Sequence, residues 1–132
     1  MNGDQTMPTA VIGDHSLVCA REISMAFTQA GFRVRALCTD GLSLLAAVRE
    51  HRPDVLSLDI ILPRLSGLQV LAAVKDELRA QIVVATAVSS RSRVAEAKRL
   101  GVGLYFLKPL EREKLVATLR TLNPHAQMRS AS

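Results

Sequence analysis

The sequence predicts an α/β protein, a parallel β-sheet with helices on both faces, and three observations predict it. Five short apolar runs recur along the chain, each too short for a buried helix and long enough for a strand. Segments with helical spacing of apolar residues follow each of them. Glycine, proline and serine punctuate the changes from one pattern to the other. Alternating strand and helix with near-continuously apolar strands is the signature of a parallel sheet covered on both sides.

In chain order, Thr9–Gly13 (TAVIG) reads as the first strand. Ala20, Ile23, Phe27 and Ala30 then recur at spacings of 3, 4 and 3, one face of a helix, and Gly31 stands where a helix stops. Phe32–Cys38 alternates apolar and basic residues, as a half-exposed strand does. Leu42, Leu45, Ala46 and Arg49 are read as the face of a second helix, closing before Pro53. Asp54–Asp59 (DVLSLD) is the third strand, and Leu68, Leu71, Ala72 and Lys75 mark the third helix. Ile82–Ala87 (IVVATA), rich in β-branched residues, is the fourth strand. Val94, Ala97 and Leu100 carry the fourth helix, with Ser89–Ser90 as its cap and Gly101 at its end. Gly103–Leu107 is the fifth strand, and Leu115, Leu119 and Leu122 carry the fifth helix behind Pro109.

At 132 residues there is room for one domain. Its expected bounds are 9–122, with residues 1–8 an N-terminal tail and the polar, aperiodic 123–132 a tail or truncated linker. With 48% hydrophobic and 22% charged residues the composition is globular, not disordered. No apolar stretch approaches the length of a membrane span, and the first residues lack the basic-then-apolar pattern of a signal peptide. Cys19 and Cys38 are expected to be buried free thiols in a reducing cytoplasm. The net charge of +5 raises nucleic-acid binding, but the basic residues are scattered and three Phe, one Tyr and no Trp leave few stacking platforms, which argues against it for this domain alone.

Ligands of open parallel sheets bind beyond the carboxyl ends of the strands. Four polar residues fall there: Asp14, Asp59, Thr86 and Lys108, each at the tip of a different strand. Two carboxylates brought together repel unless positive charge lies between them. Lys108 supplies part of it, and a divalent cation with oxygen ligands, such as Mg²⁺, supplies the rest. A cation, an ammonium and a hydroxyl beside a carboxylate suit a phosphoryl group, and an Asp can itself be the nucleophile toward phosphorus.

On these residues the chain resembles the receiver domain of bacterial two-component response regulators, over roughly Thr9 to Leu122. PDVLSLDIILPRLSG (Pro53–Gly67) is similar to the family's phosphoacceptor segment, VVATA (Val83–Ala87) to its fourth strand, and GVGLYFLKPL (Gly101–Leu110) to its fifth-strand segment. The resemblance implies a flavodoxin-like three-layer fold with strand order 2-1-3-4-5. It implies Asp59 as phosphoacceptor, Thr86 and Lys108 beside it, and Mg²⁺ held by Asp14, Asp59 and the backbone carbonyl of Ile61. Thr86 and Tyr105 would form the switch, and the Lys108–Pro109 bond would be cis. Ile61 and Val88 would line the approach of the hydrolytic water, giving at most slow self-phosphorylation and autodephosphorylation.

The partners implied are a sensor histidine kinase or histidine phosphotransfer protein. A homodimer or target is expected on the face of the fourth helix, fifth strand and fifth helix, near Arg91, Arg93, Lys98, Arg99 and Lys114. One departure stands out: the family carries two adjacent acids after the first strand, and here the first is Gly13. Its loss implies weaker Mg²⁺ binding and opens the alternative of a degenerate receiver acting as a phosphorylation-independent interaction module. A flavin site is disfavoured, since GDHS is not a Ser/Thr/Gly-rich phosphate loop. His15, His51 and His125 are not read as a metal cluster. His15 is placed at the pocket rim.

Overall fold

The computed structural model describes residues 7–125. Ten elements alternate without exception: β1 (Thr9–Gly13), α1 (Leu17–Gln29), β2 (Arg33–Cys38), α2 (Gly41–His51), β3 (Val55–Leu58), α3 (Gly67–Val74), β4 (Gln81–Thr86), α4 (Arg91–Arg99), β5 (Val102–Leu107) and α5 (Arg112–Thr121). All pairings are parallel, in the order β2-β1-β3-β4-β5. This is the flavodoxin-like order the resemblance implied. The expected strands hold to within one or two residues. Phe32 and Asp54 fall outside them, Asp59 lies one residue beyond β3, and Ala87 lies beyond β4.

Side chains on successive strand residues point to opposite faces, so each strand feeds two cores. Val11, Leu56, Leu58, Ile82 and Val84 pack with Leu44 and Val48 of α2, with Leu68, Val70, Leu71 and Val74 of α3, and with Ala97 of α4. Ala10, Ile12, Val55, Val83 and Ala85 pack with Ala20, Ile23, Ala26 and Phe27 of α1 and with Leu115, Val116 and Leu119 of α5. Phe27 and Phe32 meet edge to face at 5.2 Å, a pairing worth about 0.5–1.5 kcal/mol beyond its buried area.

Local chemistry explains the helix ends. Ser16 accepts from the Cys19 amide, and Asp40 accepts from the Ser43 amide. Ser66 and Gln69 exchange the two bonds of a capping box. Gly31 and Gly101 both have positive φ just past their helices, as the sequence predicts. Ser90 does occupy the cap position of α4, but its side chain makes no capping bond. At the other end of the domain, Asn123 is buried and its amide donates to the carbonyls of Ala30 and Gly31, fastening the end of α5 to the end of α1.

Three sequence readings need correction. The inward face of α2 is Leu44 and Val48, not Leu42, Ala46 and Arg49, which are exposed, while Leu45 is half-buried. Several apolar residues in that helix fit more than one phase, and packing against β1 and β2 selects one of them. In α3, Ala72 and Lys75 are exposed, and Val70 and Val74 take the inward places beside Leu68 and Leu71. Cys38 is buried but Cys19 is only half-buried; both thiols are free. The greater parts of the two expected tails, residues 1–6 and 126–132, lie outside the described residues.

Candidate functional site

The sheet's main-chain hydrogen bonding runs one residue past the strands, and this places the site. The Asp14 amide donates to the Cys38 carbonyl at 2.9 Å, Asp59 to Gly13 at 3.0 Å, and Lys108 to Thr86 at 2.9 Å. Three side chains are thereby launched from backbone already pinned to a neighbouring strand. Thr86, the last residue of β4, is paired with Leu107. Behind Asp59, α3 begins at Gly67, where a Cβ would lie 2.2 Å from the Asp59 carbonyl oxygen. Only glycine lets the helix start that close.

The side chains converge. Lys108 Nζ donates to Asp14 Oδ2 at 2.7 Å and to Asp59 Oδ2 at 2.8 Å. The Thr86 hydroxyl donates to Asp59 Oδ1 at 2.5 Å, and the Ile61 amide to the same oxygen at 3.0 Å. Asp14 Oδ1 accepts from the Ser16 amide at 2.9 Å. Asp14, Asp59 and Thr86 are 0%, 2% and 0% exposed. Two desolvated carboxylates this close need a cation between them, and Lys108 is that cation. Burial alone would lower the Lys108 pKa, but its hydrogen bonds to Asp14 and Asp59 and their charges outweigh it and hold the ammonium above its ordinary value.

A second set of contacts leads away from the carboxylate. The Val88 amide donates to the Thr86 hydroxyl at 3.3 Å, and the Tyr105 hydroxyl donates to the Val88 carbonyl at 2.5 Å. Tyr105 therefore points inward, joined through one residue to the threonine on Asp59. Burial first, and the charge of Asp59 second, push its phenol pKa up. The Lys108–Pro109 bond is cis.

The four strand-tip residues singled out from the sequence, Asp14, Asp59, Thr86 and Lys108, come together here with the Ile61 amide and Tyr105 beside them, and Leu44 and His15 bear on the same pocket. At Gly13 a Cβ would lie 2.5 Å from Leu44 Cδ2, so a buried leucine occupies the room a side chain there would need. The apolar run of α2 fits more than one phase, so spacing alone does not mark Leu44 as the inward residue. His15 lies closer than a rim residue need: its Nδ1 is 3.8 Å from Asp14 Oδ1 and 3.9 Å from Asp59 Oδ2. Asp14, His15 and Asp59 form a cluster whose ligand atoms lie within 4.8 Å of one another. No helix among the described residues is long and apolar enough to cross a membrane.

Known proteins share this fold. The chain is 34% identical over 115 residues to a probable transcriptional regulatory protein, TcrX of Mycobacterium tuberculosis, covering 86% of this chain and 49% of that one. It is 28% identical over 95 residues to the chemotaxis protein CheY of Bacillus subtilis, covering 70% and 79%. It thus spans about half the length of the transcriptional regulator. Among solved structures, the signal receiver domain of the putative response regulator NarL of Mycobacterium tuberculosis superposes with a TM-score of 0.80 at 28% identity, covering 88% of this chain and 96% of that one. Nothing in these likenesses favours the phosphorylation-independent alternative. A model of the response regulator receiver domain matches residues 10–120, nearly the whole described chain, and the protein belongs to that family of two-component signalling domains.

Proposed function

We propose that Asp59 accepts a phosphoryl group from a phosphohistidine on a sensor histidine kinase or phosphotransfer protein. The observation that carries this reading is the buried Asp59 carboxylate, which takes bonds from Lys108, Thr86 and the Ile61 amide while a second acid, Asp14, shares the lysine. In the transfer an Asp59 oxygen forms a bond to phosphorus as the histidine P–N bond breaks, and the donor imidazole keeps that electron pair. Lys108 and Thr86 are placed to bind oxygens of the arriving group, and charge-assisted bonds of this kind are the strong ones.

The donor set suits a hard cation: two carboxylates, with the Ile61 carbonyl that the family resemblance adds, match Mg²⁺, which takes one or two carboxylates and keeps waters. Asp14, Asp59 and the Ile61 carbonyl would hold it. When bound, Mg²⁺ would supply positive charge against the phosphoryl oxygens. Exposed Leu17 and Val18 in the first turn of α1, with a groove lined by Cys19, Pro109 and Leu110, offer a donor an apolar landing beside Lys108.

The Thr86–Val88–Tyr105 contacts would carry the phosphorylation state toward the face of α4, β5 and α5. Arg91, Arg93, Lys98, Arg99 and Lys114 are all exposed there, and this face would meet an acidic target or a second copy. A cytoplasmic location goes with this role. The test is intact mass after incubation with acetyl phosphate and Mg²⁺. One phosphoryl is expected on the wild-type chain and none on Asp59→Asn, whereas labelling retained by Asp59→Asn at another residue would remove Asp59 as acceptor. For the partner face, charge reversal at Arg93 and Lys98 is expected to abolish a salt-sensitive association seen by sedimentation.

A further inference from the structure

We propose that His15 is a ligand of the divalent cation in this pocket and moves its preference from Mg²⁺ toward cations that accept nitrogen, such as Mn²⁺, Co²⁺ and Ni²⁺. The inference deepens the reading of the site as a cation-assisted phosphoacceptor pocket and rests on it. Two independent observations carry it.

On one side no side-chain oxygen stands next to Asp14. The residue before Asp14 is Gly13, and the space a side chain would take there holds Leu44, whose Cδ2 and Cδ1 lie 2.5 and 3.0 Å from the position of a Cβ. Leu44 is fully buried and belongs to the core beneath α2.

On the other side, His15 Nδ1 stands 3.8 Å from Asp14 Oδ1 and 3.9 Å from Asp59 Oδ2. Ligand atoms sharing one cation at bond lengths of about 2.0–2.2 Å lie up to about 4.3 Å apart. The nitrogen is therefore already at a ligand's distance from both carboxylates. Its side chain is half exposed, so the ring can settle onto a cation without disturbing the core. Mg²⁺ prefers oxygen and holds its waters, while imidazole suits Ni²⁺ and the later transition cations best, with Mn²⁺ at the weak end of that series. Two carboxylates, the Ile61 carbonyl and one imidazole leave the remaining coordination places to waters and phosphoryl oxygens.

The test measures Mn²⁺ and Mg²⁺ binding to the unphosphorylated chain by calorimetry, for wild type and His15→Phe. It is joined by electron spin-echo spectroscopy of the Mn²⁺-loaded protein labelled with ¹⁵N-histidine. The expected results are loss of about tenfold or more in Mn²⁺ affinity on substitution, little change in Mg²⁺ affinity, and an imidazole-nitrogen modulation that His15→Phe removes. Equal effects on the two cations, absence of the nitrogen modulation, or no Mn²⁺ binding overturns the assignment. No phosphoryl donor enters these measurements. A chain that binds Mn²⁺ through nitrogen but is never labelled on Asp59 refutes the acceptor role alone, and one that is labelled but shows no nitrogen refutes the His15 ligand alone.

Discussion

Gly13 and Leu44 should behave as one unit, and a double-mutant cycle can show it. Gly13→Ala puts a Cβ 2.5 Å from Leu44 Cδ2, against a comfortable carbon–carbon separation of about 3.5–4.0 Å. One of the two groups must move by an ångström or more inside a core where Leu44 is 0% exposed. Overpacking of this kind costs about 1–3 kcal/mol, offset by the ~0.5–1 kcal/mol that alanine gains over glycine in a strand. The net expectation for Gly13→Ala is a loss of up to ~2 kcal/mol. Leu44→Ala removes the obstructing carbons and leaves a cavity, at about 2–5 kcal/mol. In the double variant the new methyl enters vacated space, so the two losses should sum to about 1–3 kcal/mol less than the single values predict. Urea denaturation of the four proteins, followed by circular dichroism, reads these differences directly. Additivity within ~0.5 kcal/mol would refute the idea that Leu44 fills the acid's place. The same reasoning governs Gly13→Asp. Alone it must displace Leu44, and tighter Mg²⁺ binding is expected only when Leu44→Ala accompanies it, with Leu44→Ala as the reference.

Ser57 Oγ is the only side-chain N or O atom recorded as buried and without a hydrogen-bond partner among the described residues. Ser57→Ala should therefore be neutral or stabilising by up to ~1 kcal/mol in chemical denaturation, and a clear loss would contradict this. Tyr105 is the single tyrosine in a chain without tryptophan, so phenolate absorbance reports it alone. Its midpoint should lie above 10.0 and fall in Asp59→Asn, and an unchanged midpoint in that variant would exclude the Asp59 field as a cause. Because the folded-state values of Tyr105 and Lys108 are raised, the stability they contribute is complete below pH 10.0 and 10.5 respectively, and is lost as pH climbs through the folded values. Thermal unfolding should show the decline on that alkaline side. Hydrolysis of phosphorylated Asp59 should be slow where, as the family resemblance implies, the side chains of Ile61 and Val88 line the approach of the water, since neither can hydrogen-bond it. Val88→Glu or Ile61→Asn should speed decay after donor removal, each tenfold change being about 1.4 kcal/mol of barrier. A wild-type lifetime of seconds, unmoved by either change, would rule this account out.

The alternation of elements was legible because parallel strands buried on both faces are apolar almost throughout, as IVVATA shows. The site was legible because the strand tips are where such sheets bind, and Asp14, Asp59, Thr86 and Lys108 all stand there. Strand order was not contained in periodicity and came from the family likeness. The faces of α2 and α3 were partly misread because LSLLAAV and LQVLAAV contain more apolar residues than one face needs, so spacing alone leaves the phase open. Leu44 and the reach of His15 depend on which segment is packed opposite Gly13 and Asp14, a long-range fact that no local pattern carries.

The main-chain bonds at the strand tips separate where the pocket residues sit from what they are. Asp14, Asp59 and Lys108 are each anchored through their own amides to a carbonyl on the neighbouring strand, and those bonds are indifferent to the side chain attached. Such a scaffold can exchange one functional group for another without passing through a misfolded form. Where no neighbour has to give way, as Leu44 must at position 13, the chemistry of the pocket can then be retuned on an unchanged frame.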